Sequence, residues 1–245
     1  MFSRFAAGAL AAASLSTLAV ALTAACSQAD TPARAEAPAS PDSLMVVGSE
    51  SQVPSDDRPV VVFLGTSLTA GLGLDREDDT YVARLEAMGS AAGLPFRAVN
   101  AGVSGETSAG GLRRVDWILR EPADVLVVEL GANDGLRGQD PEAMRINLTT
   151  VIQRARSRYP GLDVLLAGME APPNLGARYT TSFRAVFPEV ARSEDAVLIP
   201  FLLDGVAGVP ELNQSDRIHP TPAGHERVAE NVWPWLEGVL REIHR

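Results

Sequence analysis

The stretch PVVVFLGTSLTAGLGLD, residues 59–75, joins a run of apolar residues to a glycine-rich loop that contains Ser67. A short apolar run with little alternation is typical of a strand buried on both faces of a parallel sheet. Open α/β sheets bind ligands beyond the carboxyl ends of their strands, which is where Ser67 would lie. A serine in this position is either a nucleophile or the N-cap of the next helix, and this stretch alone leaves both interpretations open.

Four further runs resemble the first, and stretches with apolar residues at helical spacing separate them. Alternating strands and helices predict an α/β fold, a three-layer α/β/α sandwich with a flavodoxin-like, doubly wound parallel sheet of about five strands. The last helix is expected to be interrupted near Pro234. The predicted strands are Val60 to Leu64, Phe96 to Asn100, Val125 to Leu130, Val164 to Met169 and Val197 to Pro200, and the predicted helices are Thr80 to Ala92, Ser108 to Arg120, Pro141 to Tyr159, Ala177 to Arg192 and Ala223 to Ile243.

The first 25 residues have the layout of an export signal, with a charged start, an apolar centre and small residues before Cys26. A membrane span is the alternative, but the Ala, Ser and Thr content would make its insertion weak. LTAAC at residues 22–26 resembles a bacterial lipoprotein cleavage box in which Cys26 is lipidated, although Thr23 departs from it and leaves ordinary secretion open. Residues 26–57 are predicted to be a disordered acidic tether, and residues 58–245 a single folded domain.

Composition excludes several classes of function. The formal net charge is −10, and all 21 basic residues are arginine with no clustered basic stripe, which argues against a nucleic-acid partner. Cys26 is the single cysteine, so an intrachain disulfide is excluded. No histidine pair has metal-ligand spacing, and GLGLD lacks the third glycine of a dinucleotide loop, so no metal and no cofactor are expected. The sequence implies no protein partner.

The segment SDRIHPTPAGH places Asp216 three residues before His219. A carboxylate at this spacing on a turn can orient the imidazole and set its tautomer. Alternatively, Asp216 only caps the turn, and the pair alone does not decide between these interpretations. His225 lies in the last predicted helix, where we expect it to be exposed, and His244 lies at the C-terminus.

Two other loop residues are candidate donors to an oxyanion. Asn133 follows the third strand, where it is either a turn residue or a side-chain amide donor at the sheet rim. Gly102 lies at the end of the second strand, where the lack of a side chain lets its backbone N–H approach a ligand.

These residues occur in four motifs: FLGTSLTAGLGL, NAGVSGETSAGGLRR, VVELGANDGLRG and DRIHPTPAG. In this order and spacing the sequence resembles the SGNH or GDSL hydrolases, closest to the branch of bacterial acyl-CoA thioesterase I, lysophospholipase L1 and arylesterases. The resemblance covers residues 59–240. It implies that Ser67 is the nucleophile, His219 the base and Asp216 its partner, and that Ser67, Gly102 and Asn133 form the oxyanion hole.

Thr66 departs from the family, which usually has Asp before the serine, and Glu106 stands where Asp is common. Activity is expected to be retained because all the proton-transfer groups are present. The lipase elbow G-x-S-x-G is absent, because GVSGE at residues 102–106 ends in Glu106.

The resulting hypothesis is an exported serine esterase that hydrolyses acyl esters or thioesters through an acyl-enzyme. The alternatives are a carbohydrate acetylesterase of the same superfamily and a non-catalytic surface module that binds lipid or glycan. Leu136, Pro173 and Leu175 are predicted to contact acyl groups of medium or greater length. The expected location is the periplasm or the outer membrane, with a lipid at Cys26 as the sole membrane contact and secretion as the alternative.

Overall fold

The computed structural model describes residues 56–245, in which strands and helices alternate along the chain. The predictions for Cys26, for residues 1–25 and for most of the segment 26–57 lie outside the described residues. The strands are β1 (Val60–Gly65), β2 (Arg97–Gly102), β3 (Val125–Glu129), β4 (Asp163–Ala167) and β5 (Val197–Ile199). The α-helices are α1 (Ser67–Ala70), α2 (Tyr81–Ala91), α3 (Ser108–Ile118), α4 (Ala132–Leu136), α5 (Pro141–Arg158), α6 (Ala177–Ser193) and α7 (Pro222–Ile243).

The strands form one parallel sheet in the order β2-β1-β3-β4-β5. This is the flavodoxin-like order, so the predicted fold class is confirmed. The chain leaves β1 toward one edge of the sheet and leaves β3 toward the other edge. The crevice between the carboxyl ends of two such strands is the usual ligand site. Gly65 at the end of β1 pairs with Gly102 of β2 and with Glu129 of β3. The loops that leave these three residues therefore meet at one rim.

Two groups of helices cover the sheet. Helix α5 packs against both α3 and α6, whereas α2 packs against α7. Right-handed crossovers explain this grouping of the helices. The connection from β1 to β2 crosses the sheet in one direction and the connection from β2 to β3 crosses it in the other, so α2 and α3 lie on opposite faces. Strands β1 and β3 lie at the centre, and Val61, Phe63 and Val125 are completely buried. Burial on both faces accounts for the uniformly apolar runs.

Polar residues fix where the long helices begin. Thr80, Thr107 and Thr221 each accept a hydrogen bond from the backbone N–H three residues further on, at the starts of α2, α3 and α7. Asp140 caps α5, whose first residue is Pro141, a position where a missing N–H costs nothing. In the described residues no helix is both long enough and apolar enough to span a membrane.

The expected interruption of the last helix near Pro234 is wrong, since α7 continues through this residue to Ile243. A proline inside a helix removes one hydrogen bond to the carbonyl four residues earlier. Pro234 lies on the exposed side of α7, where water can satisfy the freed carbonyl. Pro188 lies on the exposed side of α6 in the same way.

Candidate active site

The chain turns sharply between β1 and α1, and this turn presents Ser67. Thr66 is the N-cap residue and Ser67 the first residue of α1. The Ser67 side chain makes no cap bond, and its Oγ lies 2.9 Å from Nε2 of His219. The N-cap interpretation of Ser67 is therefore wrong, because its hydroxyl is used by the imidazole.

Asp216 orients the ring of His219 and also shapes the turn that carries it. One carboxylate oxygen lies 2.6 Å from Nδ1 of His219, and the other accepts the backbone N–H groups of Ile218 and His219 at 2.9 and 3.0 Å. The hydrogen bond from His219 lowers the pKa of Asp216 to about 2. An ionised Asp216 holds the proton on Nδ1, which leaves Nε2 free to take a proton from Ser67. Both interpretations of Asp216 thus apply to the same residue.

The loop that carries His219 is tied to the loop after α1. Asn213 and Pro220 form an antiparallel bridge at its base. The side-chain amide of Gln214 donates to the carbonyls of Leu72 and Pro220 at 2.8 and 3.0 Å. These bonds hold the loop that carries His219 against the segment that follows Ser67.

Three N–H donors converge near Ser67. The side-chain amide of Asn133 donates one hydrogen to the carbonyl of Glu106 at 2.9 Å, and its second hydrogen remains available. Gly105 lines the cavity next to Ser67, and its backbone N–H has no acceptor among the residues that the structure describes. The N–H of Ser67, at the first position of α1, has no intrahelical acceptor. These donors can bind an oxyanion formed at Ser67.

The assignment of Gly102 to the oxyanion hole requires correction. Its N–H donates to the side-chain oxygen of Asn100 at 3.0 Å, and Gly102 does not line the cavity that contains Ser67. A Cβ at this position would lie 2.2 Å from the backbone nitrogen of Ala70, so glycine is required there for packing against α1. The geometry favours Gly105 as the candidate instead, because Gly105 lines this cavity. Its φ of +77° favours glycine, and the pair Ser104-Gly105 in the same motif is a sequence signal that could have indicated a turn at this point.

A buried carboxylate, that of Glu129, is hydrogen-bonded to the residue that precedes Ser67. Glu129 is only 1% exposed and accepts hydrogen bonds from the backbone N–H of Thr66 at 2.7 Å, from the Thr66 hydroxyl at 3.0 Å and from the Thr69 hydroxyl at 2.9 Å. Burial raises the pKa of Glu129 to about 7, against the opposing effect of these hydrogen bonds. Thr66 thus supplies an uncharged donor where an aspartate would place a second carboxyl group beside Glu129.

We expect the stability of the folded chain to depend on pH through Glu129. The folded chain holds this proton more tightly than the unfolded chain, whose pKa is the usual 4.5. The contribution of Glu129 to the free energy of unfolding should therefore fall as pH rises from 4.5 to about 7, by on the order of 2–3 kcal/mol. The buried histidine of α7, His225, has a lowered pKa and acts in the opposite direction over part of this range, so the quantity to compare is the difference between wild type and Glu129→Gln, which cannot titrate at this position. In urea unfolding, the stability of wild type relative to Glu129→Gln should decrease as pH rises.

The matched control is Glu189→Gln, which removes the same charge from an exposed position of α6. It should keep the wild-type pH dependence. Equal slopes in wild type and Glu129→Gln would show that the buried carboxylate does not titrate in this range.

The expectation that His225 is exposed is wrong. His225 is 1% exposed, its Nδ1 accepts the backbone N–H of Tyr81 at 3.2 Å, and its ring stacks on that of Tyr81 at 6.2 Å between centroids. Burial lowers the pKa of His225 to about 4, so the ring is neutral near pH 7. Its role is to join α7 to the start of α2.

A cavity of about 740 Å³ opens beside Ser67, with mainly apolar walls. Leu136 and Pro173, two of the predicted acyl contacts, line this cavity. Leu175 does not line it, because the turn Pro173–Leu175 directs this half-buried residue elsewhere. The other residues that line the cavity include Leu72, Met169, Ala171, Pro172, Phe201, Leu203, Asn213, Arg217 and Ile218.

The sequence is similar to those of known proteins. The model of the GDSL-like Lipase/Acylhydrolase family matches residues 63–227. Esterase TesA of Pseudomonas aeruginosa is 45% identical over 181 residues, which cover 74% of this chain and 89% of that protein. Thioesterase 1/protease 1/lysophospholipase L1 of Escherichia coli (strain K12) is 37% identical over 147 residues, 59% of this chain and 67% of that protein.

A solved structure has the same fold. The psychrotrophic esterase EstA from a Pseudoalteromonas species, inhibited by monoethylphosphonate, superposes with a TM-score of 0.69 at 31% identity. The match covers 74% of this chain and 98% of that one.

Proposed function

The chain belongs to the GDSL-like lipase/acylhydrolase family and is a serine hydrolase acting on ester bonds, and from this premise we propose that it is an exported enzyme that hydrolyses acyl esters and thioesters through an acyl-enzyme. The observation that carries the mechanism is the line of hydrogen bonds from Ser67 through His219 to Asp216. A non-catalytic binding module has no use for such a proton relay.

In the proposed reaction, Oγ of Ser67 bonds to the substrate carbonyl carbon while its proton moves to Nε2 of His219. The carbonyl oxygen becomes an oxyanion that the N–H groups of Ser67, Gly105 and Asn133 stabilise. The bond to the leaving oxygen or sulfur then breaks, and this atom takes the proton from His219. Water repeats the sequence on the acyl-enzyme, releases the carboxylic acid and restores the Ser67 hydroxyl.

A panel of p-nitrophenyl esters from acetyl to palmitoyl, together with an acyl-CoA and a lysophospholipid, tests the substrate class. Hydrolysis of acyl esters that disappears in Ser67→Ala would support the proposal. A wild-type protein that hydrolyses none of these compounds would contradict it.

We expect the cavity to favour acyl groups of medium or greater length over acetyl. Each acyl methylene buried against Leu136 or Met169 contributes about 0.8 kcal/mol, so a few of them decide the preferred chain length. Leu136→Asn should lower kcat/KM for octanoyl esters more than for acetyl esters. The octanoyl value divided by the acetyl value should fall by about three- to tenfold. The measurement is kcat/KM across acetyl, butyryl, hexanoyl and octanoyl esters.

Leu175→Asn is the matched control, because Leu175 lies on the same segment as Pro173 but outside the cavity lining. Its chain-length profile should follow wild type. If acetyl is the best wild-type substrate, the groove does not select for chain length and the carbohydrate acetylesterase alternative gains support.

The proposal of export rests on the sequence of the N-terminal 57 residues. We propose that Cys26 is lipidated after cleavage at LTAAC and that the acidic segment which follows holds the enzyme away from the membrane, in the periplasm or at the outer membrane. Cys26→Ser should move the enzyme from the membrane fraction to the soluble fraction of cells that express the full chain. Equal release of both proteins would favour ordinary secretion.

A further inference from the structure

Arg217 is an unused cation at the mouth of the active-site cavity. Arg217 is the one arginine or lysine among the described residues that line this cavity. The cavity's carboxylate, Glu170, pairs with Arg184 at 3.0 Å, and neighbouring Asp216 is engaged by His219. Within residues 56–245, no carboxylate lies within salt-bridge distance of the Arg217 guanidinium. The guanidinium is exposed and free to bind a substrate group.

The backbone at Arg217 adopts a conformation that favours glycine. Its φ is +60°, and Asp195 is the other non-glycine residue with a positive φ in the described residues. Such a conformation is costly for a residue with a Cβ atom, and residues in strained conformations cluster at functional sites. The bonds of Gln214 to the carbonyls of Leu72 and Pro220 hold the loop in this shape.

The chemistry of the reaction determines which part of the substrate meets Arg217. His219 delivers its proton to the leaving oxygen or sulfur, so the leaving group must lie against the loop that carries His219. Arg217 and Ile218 are exposed on this same loop and line the same cavity. Arg217 therefore faces the leaving group, whereas Leu136 and Pro173 lie on other loops.

We propose that Arg217 binds a negative charge on the leaving group, so that the enzyme prefers esters whose alcohol or thiol carries a phosphate or a carboxylate. This inference rests on the proposed ester hydrolysis at Ser67. A guanidinium presents a planar fork of N–H donors that matches both anions. The chain carries a net charge of −10 and repels anions at long range, so a local cation is needed to accept such a substrate.

The test uses three hexanoyl esters of one shape: methyl 4-(hexanoyloxy)benzoate, which is neutral, its free carboxylate, and 4-(hexanoyloxy)phenyl phosphate. The variants are Arg217→Gln, Arg217→Gly, which suits the positive φ, and Arg217→Lys, which keeps the charge. Arg192→Gln is the control, because it changes the net charge equally at the far end of α6. The quantity compared among variants is kcat/KM for each anionic ester divided by that for the neutral ester.

Arg217→Gln and Arg217→Gly should both lower this ratio by about three- to tenfold, the range for a charge pair open to solvent. The loss should appear mainly in KM, and Arg217→Lys should recover part of it. In wild type the ratio should fall from about 0.02 to about 0.5 M NaCl, more steeply than in Arg217→Gln. A larger loss for the phosphate than for the carboxylate would identify phosphate as the preferred group, and the reverse would identify carboxylate.

Three outcomes would overturn the proposal: a ratio unchanged in Arg217→Gln, a ratio retained in Arg217→Gly, or an equal loss in Arg192→Gln. If wild type hydrolyses the neutral ester, any of these outcomes rejects only the role of Arg217 and leaves the proposed ester hydrolysis intact. Failure of wild type to hydrolyse even the neutral ester would instead reject the proposed ester hydrolysis.

Discussion

Ser67→Ala is expected to lower kcat for ester hydrolysis by about 10⁴- to 10⁶-fold, because it removes the atom that bonds to the acyl group. His219→Ala should cost nearly as much, and the double variant should cost little more than either single change, since the two residues act as a unit. The geometry behind this expectation is the 2.9 Å contact between Ser67 Oγ and His219 Nε2. Stopped assays of released acid, with each variant at matched concentration, measure the effect.

A fluorophosphonate probe gives a second readout that does not depend on the choice of substrate. It should label wild type at Ser67 and leave Ser67→Ala unlabelled. Ser104→Ala is the matched control, because Ser104 is an exposed serine in the next loop of the same rim and should not affect labelling. Persistent labelling of Ser67→Ala at a different serine would contradict the assignment of the nucleophile.

The fold could be predicted from the sequence because local patterns determine it. The apolar run before Gly65 lies in a strand that is buried on both faces, and uniform apolar composition indicates such a strand. Placing Ser67 at the rim then required only that parallel strands end on one edge. Asp216 and His219 were predictable as a pair because they lie three residues apart on one turn.

Contacts between distant segments could not be predicted in the same way. Glu129 meets Thr66 across 63 residues of sequence, and within the third strand it appeared as an isolated charge in an apolar run. His225 is buried because Tyr81 of α2 packs on it, and helical periodicity did not reveal that partner. In both cases a polar residue is buried against a segment far away in the chain.

The choice between Gly102 and Gly105 shows the same limit at shorter range. Both glycines lie in one sequence motif at the carboxyl end of β2, and both suit a close backbone approach. Gly102 is still paired with β1, and its N–H is used by Asn100, so the rim begins only after it. The end of pairing in β2, rather than the residue type, determines which N–H faces the cavity. Leu175 fails for a similar reason, because one short turn directs it away from Pro173.

Asn133→Ala is expected to lower kcat by about 10²- to 10³-fold with little change in KM, because the amide hydrogen it removes is needed when charge develops on the substrate oxygen. The structure places this amide against the carbonyl of Glu106 at 2.9 Å, which holds it beside Gly105 and Ser67. Asn133→Asp keeps the shape of the side chain but removes both hydrogens, so it should lose at least as much activity. Asn147→Ala is the control for loss of a partly buried amide bond, since Asn147 donates to the Ser108 hydroxyl at 2.9 Å and does not line the cavity. A loss confined to KM in Asn133→Ala, or an equal loss of kcat in Asn147→Ala, would assign Asn133 to structure rather than to the oxyanion hole.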